Sequence, residues 1–117
     1  MLRIFQQAFH IPGTLSADLD IRYKAPFDCT LLHVSAVASN DSAATLTIGC
    51  SDDDDEFLDT TTIGDSQAPD EFDQDDFVGD QYPRIEDGDT IVITVDYDGS
   101  SGTAANDLTV ILTFAEG

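Results

Sequence analysis

"DTIVITVDY" at residues 89–97 and "DLTVILTFAE" at residues 107–116 decide the fold. Both alternate apolar with polar residues and both are rich in β-branched types, the pattern of a strand with one face buried. Between them "DGSSGTAAN" supplies a Gly/Ser/Asn-rich connection, which fits a turn and not a helix. Working outward, "CTLLHVSAVAS" (29–39) alternates with Leu32, Val34, Ala36 and Ala38 on one face. The turn residues of "NDSAA" lead into "TLTIGC" (45–50), so these two runs read as a hairpin. "LDIRYKA" (19–25) sets Leu19, Ile21 and Tyr23 against Asp20, Arg22 and Lys24. "RIFQQAFHI" (3–11) is strand-like and ends at the turn signal Pro12-Gly13. "FLDTTTI" (57–63) is a threonine-rich strand ending at Gly64-Asp65, and residues 66–83, with two prolines and no sustained period, read as a long loop.

No run carries the three-and-four spacing of a helix. The expectation is therefore an all-β chain, an antiparallel β-sandwich, jelly-roll first and immunoglobulin-like second. At 117 residues it has room for one domain over 1–117. Residues 1–13 are expected as an N-terminal arm or docking strand, and 51–83 as an acidic strand-loop excursion.

Charge narrows the function classes. Four Lys and Arg stand against 24 Asp and Glu, a formal net charge of -20, which repels nucleic acid and anionic membranes. Three of the four bases, Arg3, Arg22 and Lys24, lie near the N-terminus, and Asp far outnumbers Glu. That mix suits high ionic strength, where a Debye length of about 3 Å near 1 M salt removes most self-repulsion, so a halophilic or marine setting is expected. No apolar run approaches the roughly 20 residues of a membrane helix. The start lacks a continuous apolar core, so no cleaved export signal is expected and synthesis in the host cytoplasm follows.

Two segments together carry a resemblance. The first is "YKAPFDCTLLHVSAVASNDSAATLTIG", with its aromatic, Ala-Pro, Thr-Leu and Val-Ser-Ala steps; the second is "RIEDGDTIVITVDYDGSSGTAANDLTVILTF", with Gly88-Asp89 and a last strand beginning Asp-Leu-Thr-Val. Over residues 19–115 the chain resembles the small jelly-roll virion proteins of tailed bacteriophages, which decorate capsids or form head-fibre and tail-fibre tips. The resemblance implies a non-enzymatic structural role at the virion surface. Its partner would be the major capsid protein or another virion protein, and self-association a homotrimer or other symmetric homo-oligomer. Capsid decoration comes first; a fibre tip, or a receptor- or carbohydrate-binding module with calcium dependence, is the alternative. Gly88 permits a positive φ in a turn, and Asp89 can accept from backbone amides as the next strand begins.

Thirteen acids and no base fall in residues 51–80. Asp52, Asp54, Asp73 and Asp75 are the calcium candidates, since Ca²⁺ takes six to eight oxygens. "DDDDEF" nevertheless lacks the alternate-position aspartates and the sixth-position glycine of an EF-hand, so a solvated acidic loop is the favoured reading and no cofactor is required. Adjacent aspartates in a polar loop do not create the raised acid of a glycosidase, and no nucleophile elbow occurs, so no catalytic residue is assigned. Cys29 and His33, four apart on one expected strand face, make only half a zinc site. In the expected hairpin Cys50 faces Val34, which leaves Cys29 roughly 16 Å away along the strand and both thiols free. Phe57, Phe72, Phe77 and Tyr82 interleave with the acids, and Arg3, Phe5 and Phe9 mark the N-terminal segment. These seven are the interface candidates.

Overall fold

The two alternating runs become strands buried on one side, as their period requires. The computed structural model describes residues 3–63 and 68–117. It contains β1 (Ile4–Thr14), β2 (Leu19–Lys24), β3 (Cys29–Val37), β4 (Thr45–Cys50), β5 (Asp53–Thr62), β6 (Asp70–Phe72), β7 (Arg84–Ile85), β8 (Thr90–Asp96) and β9 (Asn106–Glu116), with one 3₁₀ turn at Val78–Asp80. One sheet has the order β1-β9-β3, with β6 and β7 sharing the far edge of β3; the other has the order β2-β8-β4-β5. All pairings are antiparallel.

The connectivity identifies the sandwich as a jelly-roll. β1 pairs with β9, β2 with β8, β3 with β6 and β7, and β4 with β5. The chain is thus one long nested hairpin, rolled so that successive strands alternate between two sheets except at the innermost pair, β4 and β5, and at the two short strands β6 and β7 on one edge. The inward side chains Leu31, Val34, Leu46, Ile48, Ile91, Ile93, Val95, Leu108, Val110, Leu112 and Phe114 form the core, each at most 1% exposed.

Four local expectations are corrected. β3 and β4 are not a hairpin: they lie in opposite sheets, because each buries a face against the other across the sandwich instead of sharing a ladder. Pro12-Gly13 does not end the first strand. β1 runs on to Thr14 through a register shift between Ile11 and Thr14, with Gly13 at φ 81. Such a bulge absorbs a residue that cannot donate to the ladder. Residues 66–83 are not wholly loop, since β6 pairs Val34 with Phe72 and Ala36 with Asp70. Finally, a shift between Leu31 and His33 breaks the alternation in β3, so Leu31 and not Leu32 joins the core. Cys29 then points inward, 1% exposed, while His33 shares the outward parity of Ser35 and Val37. The Cys29–His33 pair does not share a face. The turn expected at Gly64-Asp65 lies outside the described residues.

Gly49 shows how sequence fits topology at the β4–β5 edge. A Cβ there would collide with the backbone carbonyl of Asp53 and with Asp54. Only glycine lets the start of β5 cross β4 that closely. At the β7–β8 turn Gly88 has φ 89 and the Asp89 carboxylate accepts from the Glu86 amide at 3.0 Å, as its sequence context predicts.

Candidate functional site

The acidic run is part of a strand. Residues 53–56 open β5, an edge of the second sheet, and an edge strand accepts outward charge because one side of its ladder faces water. Oxygens of Asp53, Asp54 and Asp55 lie within 4.8 Å of one another, all three exposed. Asp52, Asp73 and Asp75 are not in that group. The Asp73 carboxylate accepts from the Asp75 amide at 3.2 Å, and Asp76 accepts from the Asp73 amide at 3.0 Å, so this second cluster organises its own turn. A hydrogen bond and charge repulsion from Asp53 hold the Asp55 carboxyl above its ordinary range.

Beside this edge a cleft of about 510 Å³ is lined by Cys50, Asp52, Asp53, Glu56, Arg84 and Asp89, among others. Arg84 donates to the Gly117 carbonyl and lies 3.6 Å from the Asp28 carboxylate, so its charge is already engaged. The Cys50 thiol donates to Glu56 at 2.7 Å, which raises its pKa, as does its partial burial. Burial raises Cys29 likewise. Both thiols are free; Cys29 lies in the first sheet opposite Glu116, and Cys50 in the second opposite Ile91.

The aromatic candidates separate by environment. Phe57, Phe72 and Phe77 are 8%, 9% and 2% exposed and belong to the core, whereas Tyr82 is 43% exposed. Phe5 and Phe9 are half-buried. Phe5 stacks on Phe114 with ring centres 5.0 Å apart and meets Phe27 edge-on at 5.2 Å, and Phe9 meets Tyr23 at 6.3 Å. The segment expected as an N-terminal arm or docking strand forms strand β1, in ring contact with β2 and β9. Arg3 pairs with Glu116 at 2.7 Å at its start.

A surface that sequence reasoning missed is the outer face of the first sheet. Register places Ile4, Ala115 and Thr30 in one row and Gln6, Thr113 and His33 in the next. Ala8, Ile111 and Ser35 follow, then His10, Thr109 and Val37. None of these twelve is Asp, Glu, Lys or Arg, in a chain where 28 residues are. Gln6 donates to the Thr113 hydroxyl at 3.2 Å and His10 Nδ1 lies 2.8 Å from that of Thr109. Charge borders the face only: Glu71 lies 3.6 Å from His33, and Asp107 accepts from the Gly13 amide at 2.7 Å and the Ser39 hydroxyl at 2.9 Å. Those two bonds hold the Asp107 carboxyl below its ordinary range. By contrast the outer face of the second sheet carries Asp20, Arg22 and Lys24 on β2. The missed signal was the pairing, because the neutral residues come from three separated segments. Such a face offers a partner close approach without charge desolvation.

No family model matches the chain, and neither the curated proteins nor the solved structures contain a match to it.

Proposed function

We propose that this chain is a non-enzymatic structural protein of a tailed-phage virion, a capsid decoration protein that binds the outer surface of the shell as a symmetric oligomer. The observation that carries the reading is the uncharged outer face of the β1-β9-β3 sheet on a jelly-roll whose remaining surface is strongly acidic. A protein partner can meet that face without stripping water from ions, while the acids elsewhere keep the chain hydrated and soluble. The resemblance of residues 19–115 to small phage jelly-roll proteins supplies the virion context. The major capsid protein is the first partner on this reading, and a halophilic or marine host its setting.

Immunogold electron microscopy of phage particles with an antiserum to this chain tests it. Label distributed over the shell is the expected result. Label confined to the tail or to isolated spikes transfers the chain to a fibre-tip role, and unlabelled particles refute a virion location.

A further inference from the structure

We propose that strand β1 is a self-association edge, at which a second copy of this chain adds its own β1 antiparallel and joins the two sheets into one. The inference starts from a comparison of the strands bordering the two sheets. β5 displays Asp53, Asp54, Asp55, Glu56 and Asp59 to solvent. β2 alternates Asp20, Arg22 and Lys24 outward, with Arg22 and Asp20 paired at 3.2 Å. β6 and β7 have three and two residues. Charge and brevity are the means by which sheets block unwanted strand addition. β1 has neither: it is 11 residues long and carries no Asp, Glu, Lys or Arg. Among the described residues no strand pairs with its outer side. Its Pro12-Gly13 bulge lies near the C-terminal end, which leaves residues 4–11 as regular ladder.

The occupant follows from charge. The first 17 residues contain no acid, although the other 100 contain 24, so β1 is where two copies each bearing -20 can approach at least cost. A two-fold axis perpendicular to the sheet, passing through Gln7 or Ala8, keeps the inner and outer faces of both copies in register. With Gln7 on the axis, Phe5 lies opposite Phe9 of the second copy and Ile4, 68% exposed, opposite its His10. The half-buried rings gain cross-strand partners, and the two uncharged faces become one continuous surface. The pairing is isologous and closed. It uses up the β1 edge and leaves the joined sheet bounded by the short strands β6 and β7.

This inference rests on the self-association in the proposed function and is independent of where the virion carries the chain. Sedimentation equilibrium of the full chain in dilute buffer and in about 1 M salt, combined with amide hydrogen exchange, tests it. The expected result is a dimer in which the amides of residues 4–11 that point away from β9 become protected as concentration rises. Ala8→Glu, on the outward side of β1, should raise the dissociation constant at least tenfold, with an unchanged melting temperature at concentrations low enough to keep both proteins monomeric. Should that variant not fold, Gln6→Glu places the same charge one outward position away. A monomer at millimolar concentration in both buffers overturns the proposal, as does any oligomer that forms equally well with Ala8→Glu and leaves these amides exchanging. Protection of β1 only when another virion protein is added, the chain itself staying monomeric, replaces the second copy with a foreign strand and overturns it too. Shell labelling in the immunogold experiment is unaffected by any of these results, so the two readings fail separately.

Discussion

Phe77→Ala separates two roles for the aromatic residues of the acidic segment. The Phe77 ring is 2% exposed within the chain's own core, and it anchors the stretch between β6 and β7 beside the turn in which its amide bonds the Asp73 carbonyl at 3.3 Å. Truncating a buried Phe to Ala costs about 3–5 kcal/mol, the lost transfer free energy plus the cavity left behind. For a domain of this size each kcal/mol lowers the melting temperature by roughly 4 °C, so a drop of about 12–20 °C is expected. Thermal and urea denaturation of the isolated chain in about 1 M salt measures it, the salt suppressing changes in self-repulsion. Tyr82→Ala is the control: at 43% exposure its loss should stay below about 1 kcal/mol. If Phe77→Ala costs less than about 1 kcal/mol in the isolated chain, the ring is not a core residue and its burial belongs to an interface.

Gly49→Ala should destabilise the chain by about 1–3 kcal/mol, read by urea unfolding, because its Cβ has no room beneath β5; an unchanged midpoint would refute that close crossing. Asp107 titrates below its ordinary range, so the stability it contributes is present above the unfolded-state value near 3.9 and is lost as pH falls through its lower folded value. Asp107→Asn should therefore flatten the acid limb of a melting-temperature profile below about pH 4, and an identical limb would deny the Gly13 and Ser39 bonds a role. Asp55 has the opposite sign: its raised carboxyl makes stability fall as pH rises from the ordinary aspartate value through the higher folded one. Replacing residues 52–55 with Ser should thus remove that fall and raise stability at low salt, and millimolar calcium should leave the melting temperature of both proteins unchanged; a calcium-induced rise in the original chain that the Ser variant lacks would show that these acids hold an ion.

Legibility in the sequence followed the physics of each element. β8 and β9 were readable because a strand buried on one face imprints a period of two on its own residues. β3 misled because a single bulge at Leu32 shifts every later side chain to the other face, and nothing local announces it. The partner of β4 was unreadable for a different reason: contiguous runs joined by turn residues suggest a hairpin, whereas pairing with β8 and β5 is decided by burial across the sandwich. Residues 53–56 looked like loop because their charges suit no buried strand, yet an edge tolerates them. The same nonlocality hid the uncharged face. His10, Thr109 and Val37 are unremarkable apart, and only the register of β1, β9 and β3 makes them neighbours.

The nested pairing also sets the order in which the chain can fold. β4 and β5 are separated by only a short turn and can close early, but β9 lies between β1 and β3. The first sheet therefore has no continuous ladder until its last-made strand arrives. Loop closure over nearly the full chain must precede the contacts that reward it, which places folding in the slow, millisecond-to-second regime of high contact order. During synthesis β1 waits unpaired until residues 106–116 emerge, and it is the longest strand without charge. Its lack of acids is harmless in the finished sheet and a hazard on the ribosome, where its own edge is the one most ready to pair with a neighbouring nascent chain.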